Sequence, residues 1–176
     1  MLMKNRKCLL VIDVQYGMFN LPRELYKGSS TIENIYSLIS KARETKTLIV
    51  FMQHSGNENT HFGQESKNWQ IHAKVAPRKN EIIIEKKHPD SFQNTKLDGL
   101  LRNSNINNIV ICGFVTEGCV DTTVRRAYSL GYKLEVAGDA HSTTDSEILS
   151  AEQIINHHNE VFKIFSKVKR ADKIYF

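Results

Sequence analysis

The hydrophobic residues of this chain form short uninterrupted runs that alternate with amphipathic segments. Uninterrupted apolar runs are typical of strands that are buried on both faces. Six strands are predicted, over residues 8–12, 48–52, 81–85, 108–112, 133–136 and 161–165. Apolar residues at helical spacing predict four helices, over residues 30–45, 97–101, 120–130 and 147–158. A capping box at Ser30–Glu33 is expected to start the first helix, and Gly131 to end the third.

The alternation of strands and helices predicts the fold class. Strands that are apolar throughout and separated by helices indicate a mainly parallel sheet between two helical layers. The expected fold is therefore a three-layer α/β/α, Rossmann-like domain with six strands, in which residues 1–176 form one unit. The polar stretch 53–80 is too long for a plain connection, so a binding or interface excursion is expected there.

Composition and charge exclude several classes of partner. Apolar residues make up 40% and charged residues 24% of the chain, and no apolar run is long enough to span a membrane. The net charge of +5 is scattered rather than concentrated in a stripe, which argues against nucleic-acid binding. The basic N-terminus and the short run Cys8–Ile12 resemble a signal peptide, but the run stops at Asp13. Three irregularly spaced cysteines argue against a disulfide framework, and a cytoplasmic protein with reduced thiols is expected.

Candidate chemical groups follow three of the predicted strands. Asp13 ends the first strand, Lys86 and Lys87 follow the third, and Cys119 ends the loop after the fourth. Ligands of such sheets bind beyond the carboxyl ends of the strands. A carboxylate, an ammonium group and a thiol are therefore expected at one edge of the sheet.

Each of these residues also has a purely structural interpretation. Cys119 opens a helix, where unpaired N–H groups favour a thiolate, or it is simply a small buried cysteine. Asp13 is either a turn cap or a catalytic carboxylate. Lys86 and Lys87 point to opposite faces, and spacing alone does not choose between them. Cys112, like Cys8, lies in an apolar strand and is expected to be a structural cysteine.

Three stretches resemble one family. They are Leu10–Gln15, Lys87–Phe92 and Gly113–Val120, in this order along nearly the whole chain. Together they resemble the isochorismatase-like cysteine hydrolases, a superfamily that includes nicotinamidases, N-carbamoylsarcosine amidase and streptothricin hydrolase-like amidases. The resemblance implies an isochorismatase-like hydrolase fold, a small-molecule substrate and a homo-oligomer.

The resemblance also implies a set of catalytic residues. The triad would be Asp13, Lys87 and Cys119, and Lys87 is preferred because the family lysine lies four residues before the serine, here Ser91. The family has a cis peptide bond before the position of Val115. The backbone N–H groups of Val115 and Cys119 would then form an oxyanion hole.

The implied reaction is hydrolysis of a small amide or a related C–N bond through a thioester, without a cofactor. An isochorismatase-type ether hydrolysis is the alternative within enzymes, but siderophore-type members of that branch lack the cysteine, so Cys119 favours acyl transfer. A non-catalytic binding or oligomeric protein that retains the fold is a second alternative. A redox-sensing thiol is a third, but Cys112, seven residues from Cys119, should be buried in its apolar strand and point elsewhere.

Metal and substrate contacts complete the expectations. The nicotinamidases carry a metal site built on an Asp-x-His pair, which His54, His61 and His72 lack here, so no metal is expected. The candidate substrate-binding residues are Gln15, Phe19, Trp69, Phe114 and Glu117. Phe19 and Trp69 have an alternative role in packing the loop or a subunit interface.

Overall fold

A computed structural model describes residues 6–176, which are built around a six-stranded sheet. The strands are β1 Lys7–Ile12, β2 Leu48–His54, β3 Ile82–Lys86, β4 Asn108–Phe114, β5 Lys133–Ser142 and β6 Lys167–Lys169. All neighbours pair in parallel, in the order β3-β2-β1-β4-β5-β6. This is the strand order of a Rossmann-like fold, and it reverses between β1 and β4. The predicted fold class is confirmed.

Helices cover both faces of the sheet. They are α1 Gly28–Glu44, α2 Leu97–Asn103, α3 Asp121–Ser129 and α4 Ala151–Phe162. In β1, Leu9 and Val11 pack into the core under α1, whereas Leu10 and Ile12 pack into the opposite core with residues of α2, α3 and α4. Alternate side chains of β1 thus pack into two separate cores, which explains why the strand is apolar throughout. None of these helices, within the described part of the chain, has both the length and the apolar content needed to cross a membrane.

The last strand is not where the hydrophobic pattern placed it. Residues 161–165 were expected to form it, but Val161 and Phe162 are the last residues of α4, and Phe162 is fully buried. The strand lies at Lys167–Lys169, where Val168 is the single apolar residue. A three-residue edge strand has little apolar signal, so the predicted position is wrong.

The start of α1 also differs from its prediction. No capping box forms at Ser30–Glu33, because the helix already begins at Gly28 and the serine hydroxyl donates to the carbonyl of Lys27. The capping box lies instead at α4, where Ser150 and Gln153 exchange hydrogen bonds with each other's backbone. The expected end of α3 at Gly131 is confirmed, with a positive φ of 89°.

The polar stretch between β2 and β3 lies across the carboxyl edge of the sheet. Gln15 forms an antiparallel bridge with Ile71, and the backbone N–H of Gly17 donates to the carbonyl of Asn68. These contacts hold the stretch above the ends of β1 and β2. The long connection is therefore part of the edge at which ligands of this fold bind.

Candidate active site

Asp13 is the first residue beyond β1, and its side chain is fully buried. Its backbone adopts a left-handed conformation with φ of 52°, and its N–H group still donates to the carbonyl of Met52 on the neighbouring strand. Aspartate tolerates this conformation better than most residues. The turn holds the carboxylate inside the carboxyl edge of the sheet instead of in solvent.

Gly113 brings the loop that leads to Cys119 next to Asp13. It pairs with Ile12 in the sheet register and has a φ of 129°. A Cβ atom at this position would lie 2.0 Å from the carbonyl oxygen of Ile12, so only glycine fits. The Phe114–Val115 peptide bond that follows is cis. Beyond it, the backbone enters a π-helical turn at Thr116–Val120 that runs directly into α3. This turn contains Cys119 and is called the nucleophile turn below.

Cys119 lies in this π-helical turn, two residues before α3 begins. The residue is partly exposed, unlike the fully buried Cys8 and Cys112. Cys119 packs against the core under α2, α3 and α4, whereas Cys112 belongs to the core on the other face of the sheet. Cys112 is therefore not placed to act as a resolving partner for Cys119, so the structure disfavours the redox-sensor alternative.

The lysine of the site is Lys86, so the predicted choice of Lys87 is wrong. The Lys86 ammonium group lies 2.7 Å from Oδ2 of Asp13 and 3.2 Å from Sγ of Cys119, and it donates to the carbonyl of His88. The alternation along β3 explains the difference, because Ile84 and Lys86 are buried. Lys87 is exposed on the other side. The four-residue spacing to Ser91 thus misplaced the lysine by one position.

The electrostatics of the cluster keep Cys119 protonated in the free protein. Burial raises the pKa of the thiol, the neighbouring Asp13 carboxylate raises it further, and the Lys86 ammonium offsets only part of this, giving a pKa of about 12. Burial alone would lower the pKa of Lys86, but the interactions with the Asp13 carboxylate and with Cys119 outweigh it and raise that pKa. This direction opposes the effect of the helix start, which favours a thiolate. It favours a thiol beside the ion pair in the free protein.

Gln15 and Trp69, two of the predicted substrate contacts, fasten the loop over the sheet edge. The buried Gln15 amide donates to the carbonyls of His54 and Trp69, at 2.9 and 2.6 Å, and accepts from the N–H of His54. The Trp69 indole donates to the Ser55 hydroxyl at 2.8 Å. Because the polar atoms of Gln15 are all engaged, its predicted contact with substrate is not supported.

The other three candidate contacts differ in exposure. Phe114 is fully buried, and Phe19 meets it edge to face with 5.4 Å between ring centroids. Phe19 also packs against the ring of His72, so the packing interpretation describes its contacts. Glu117 is exposed and accepts a hydrogen bond from the Thr143 hydroxyl. Of the three, Glu117 alone presents a charge to solvent next to the nucleophile turn.

Sequence reasoning missed a buried histidine that supports the nucleophile turn. Nδ1 of His141 lies 2.9 Å from the Thr116 hydroxyl, and its Nε2 lies 3.0 Å from Oδ1 of Asn159 on α4. Burial lowers the pKa of His141 to about 4, so the ring is neutral at pH 7. The prediction ended β5 near Val136, and the strand in fact extends to Ser142. The missed residue lies in this extension.

The histidines around the site do not form a metal centre. Within residues 6–176, no three His, Cys, Asp or Glu side chains are grouped as metal ligands. Nε2 of His61 is 2.8 Å from the Gly17 carbonyl, and Nδ1 of His72 accepts from the backbone of Lys74. A metal-free reaction stays a prediction, as do the homo-oligomer and the cytoplasmic location.

Fold and side chains together define an α/β protein in which a partly exposed thiol lies against a buried carboxylate–ammonium pair at the topological switch point of its sheet. The Isochorismatase domain family matches residues 7–164. The chain belongs to the isochorismatase family.

Two curated relatives and one solved structure illustrate the similarity. The uncharacterized isochorismatase family protein YddQ of Bacillus subtilis is 36% identical over 143 residues, which cover 80% of this chain and 79% of that protein. A streptothricin hydrolase of Streptomyces noursei is 29% identical over 139 residues, 79% of this chain but only 50% of that protein. The crystal structure of an isochorismatase from Pseudomonas putida superposes with a TM-score of 0.92 at 28% identity, covering 97% of this chain and 90% of that one. These similarities place the chain among family members that include hydrolases.

Proposed function

We propose that this protein is a cysteine hydrolase that cleaves a small-molecule amide or a related C–N bond through a thioester. The observation that carries the proposal is the contact of one buried ammonium group, on Lys86, with both the Cys119 sulfur at 3.2 Å and the Asp13 carboxylate at 2.7 Å. A nucleophile, a base and an orienting cation within hydrogen-bond reach are the requirements of acyl transfer to a thiol. The streptothricin hydrolase among the relatives supports a hydrolytic reaction.

Asp13 acts as the general base of the first step. Because the thiol of Cys119 has a raised pKa, it is not nucleophilic until a base takes its proton. Asp13 accepts that proton as the sulfur attacks the carbonyl carbon of the substrate. The charge of Lys86 stabilises the thiolate that forms in this step.

The nucleophile turn would stabilise the negative charge on the substrate oxygen. The N–H groups of Gly118 and Val120 both donate to the carbonyl of Val115, which fixes the turn. In the proposed mechanism the backbone N–H groups of Val115 and Cys119 bind the oxyanion, and their rigid placement stabilises the transition state.

Two further steps complete the reaction. The protonated Asp13 gives its proton to the leaving nitrogen, which departs as a neutral amine or ammonia while the acyl group stays on Cys119. A water molecule then attacks the thioester, and Asp13 accepts a proton from it. Asp13 passes this proton to the departing sulfur, which releases a carboxylic acid and regenerates the thiol. The buried base thus serves both halves of the reaction, and no cofactor takes part in them.

Trapping the acyl-enzyme tests the proposal. A panel of primary amides is incubated with the protein, ammonia release is measured, and peptide mass after acid quench locates the adduct. We expect ammonia release and an acyl mass on the Cys119 peptide, and neither in Cys119→Ala. The Cys112→Ala variant is the matched control and keeps both signals. Turnover that survives in Cys119→Ala would overturn the covalent mechanism, and a panel without any ammonia release would overturn the amide assignment.

A further inference from the structure

His54 lies next to the catalytic lysine, although the proposed mechanism does not use it. It is the last residue of β2, and it pairs with Lys86 in the parallel register of β2 and β3. Paired residues of neighbouring parallel strands direct their side chains to the same face of the sheet. The imidazole of His54 is therefore the neighbour of the Lys86 side chain on the face that carries the site.

The ring of His54 has an unused polar atom. Its Nδ1 atom is buried and has no hydrogen-bond partner among the described residues. The backbone of His54 is fully engaged by Gln15, and the ring of Phe62 meets the imidazole at 90° with 5.7 Å between centroids. The side chain is thus held by its surroundings while one polar atom stays unpaired, which costs free energy in the empty site.

Other histidines of the chain do not share this property. Nδ1 of His72 accepts from Lys74, and His141 has partners on both ring nitrogens. His61 contacts the Gly17 carbonyl through Nε2. A buried polar atom without a partner is uncommon in native proteins and calls for an explanation. At His54, a ligand in the site would supply the missing partner.

The charges around His54 indicate which ligand groups fit. Burial lowers the pKa of His54, and the nearby Lys86 and His88 lower it further, while Asp13 raises it and does not reverse the shift. The ring is therefore neutral at pH 7, with one donor and one acceptor nitrogen. Asp13 and Lys86 already neutralise each other. A neutral donor–acceptor group is thus the free recognition element of the site.

We propose that His54 is a substrate-binding residue that hydrogen-bonds an uncharged polar group, such as a carboxamide, next to the carbonyl that Cys119 attacks. The proposal deepens the hydrolase function and rests on it. It assigns the protein to neutral amides rather than to substrates with a carboxylate or ammonium group beside the scissile bond. Nδ1 makes the contact, as a donor or as an acceptor according to which ring nitrogen carries the proton.

Two thiol reagents test this contact. Iodoacetamide carries a carboxamide next to its reactive carbon, whereas methyl methanethiosulfonate carries none. Both react with the thiolate of Cys119, so the ratio of their second-order rate constants cancels any change in the thiol pKa. Modification of Cys119 is followed by peptide mass in wild type, His54→Phe and His54→Gln. His157→Gln, at an exposed position on α4, is the matched control.

We expect His54→Phe, which keeps an aromatic ring against Phe62, to lower the ratio of the iodoacetamide rate constant to the methanethiosulfonate rate constant about fivefold to tenfold. His54→Gln keeps a donor and an acceptor and should stay within about threefold of wild type. The control should not change the ratio. A tenfold change corresponds to about 1.4 kcal/mol, the size of one hydrogen bond. A ratio in His54→Phe within twofold of wild type overturns the proposal. Should that variant fail to fold, His54→Leu replaces it under the same criterion.

The outcome separates this proposal from the hydrolase function. If the ratio falls but wild type hydrolyses no amide in the panel, His54 binds carboxamides and the hydrolase assignment is wrong. If amides are hydrolysed and the ratio does not change, the hydrolase assignment stands and the role of His54 is wrong. With both signals present, His54→Phe should also raise KM for the amide at least threefold.

Discussion

The ammonium group of Lys86 and the carboxylate of Asp13 form an ion pair with 2.7 Å between Nζ and Oδ2, and both side chains are fully shielded from solvent. A buried pair of this kind gains little over an apolar pair of the same volume. Removal of one partner, however, leaves an uncompensated buried charge. The pair is therefore better explained by the thiol that it contacts, on Cys119, than by stability.

The first prediction compares the two adjacent lysines. Lys86→Met leaves the Asp13 charge unpaired and removes the cation beside Cys119, so we expect at least a 100-fold loss of kcat/KM for the best amide of the panel. The free energy of unfolding should fall by about 3–5 kcal/mol. Lys87→Met, at the exposed neighbouring position, should change kcat/KM by less than twofold and the free energy of unfolding by less than about 0.5 kcal/mol. Loss of activity in Lys87→Met with retention in Lys86→Met would restore the original choice of Lys87.

A second prediction separates the acidity of the thiol from catalysis. Asp13 raises the pKa of Cys119 and Lys86 lowers it. In Asp13→Asn the pKa should therefore fall, and iodoacetamide should alkylate Cys119 faster at pH 8 than in wild type. Hydrolysis should be lost in the same variant because no base remains. In Lys86→Met the pKa should rise and alkylation should slow.

The rate of alkylation against pH, followed by peptide mass, measures these shifts. Asp172→Asn, on the exposed C-terminal turn, is the control and should match wild type. Rapid alkylation of wild-type Cys119 below pH 7 contradicts the thiol resting state. It would support instead the thiolate that is expected from the helix start. An Asp13→Asn variant with wild-type hydrolysis contradicts the role of Asp13 as the base.

Most of the architecture follows from the sequence because parallel strands buried on two faces leave a strong signal. The runs around Leu10 and Val110 are apolar on both sides of the strand, and both lie in the centre of the sheet. The signal disappears at the edges. In β6 the residues flanking Val168 are lysines, and the apolar Val161 belongs to the preceding helix. Edge strands thus have to be located from pairing, which the sequence does not contain.

The sequence predicts that Asp13 and Cys119 meet at one edge of the sheet, whereas the details of their surroundings depend on register. Asp13 and Cys119 follow buried strands, and any parallel sheet brings them to one edge. Lys86 shares the buried face of β3 with Ile84, but residues 82–84 are all isoleucine, so the sequence does not show which face is buried. The roles of His54 and His141 depend on pairing across strands and on burial. No local pattern in the sequence reports either.

A third prediction concerns the close approach of Gly113 to Ile12, which positions the loop that leads to Cys119. Gly113→Ala would place a Cβ atom 2.0 Å from the Ile12 carbonyl oxygen, on a backbone with positive φ. Both effects require β4 to move away from β1, so we expect a loss of at least about 3 kcal/mol in the free energy of unfolding. Gly99→Ala is the control, since nothing lies within 4 Å of that Cβ in α2, and it should stabilise by about 0.5–1 kcal/mol. Urea denaturation measures both, and equal stability of the two variants contradicts the proposed fit.

A fourth prediction uses His141 as a pH-sensitive support of the nucleophile turn. Asn159 donates through its amide nitrogen to the Gly138 carbonyl, so its oxygen faces His141 and accepts from the Nε2–H group. Nδ1 is then the acceptor of the Thr116 hydroxyl. The neutral ring therefore fits both of its partners, and protonation would put an unpaired charge into a buried site.

The sign of the effect follows from the lowered pKa of His141, about 4 in the folded protein against about 6.5 for an unperturbed histidine. The unfolded chain binds more protons between these values, so the stabilisation is complete above pH 6.5 and is lost as the pH falls toward 4. The free energy of unfolding should decrease by about 2 kcal/mol between pH 8 and pH 5 through this group. The pH dependence is measured by urea denaturation of wild type, His141→Gln and the exposed control His157→Gln. His141→Gln should lack this part of the decrease, while His157→Gln should retain it. Identical pH dependence in wild type and His141→Gln would mean that the ring is already charged or solvated in the folded protein. It would contradict the prediction that protonation of His141 destabilises the turn at Thr116.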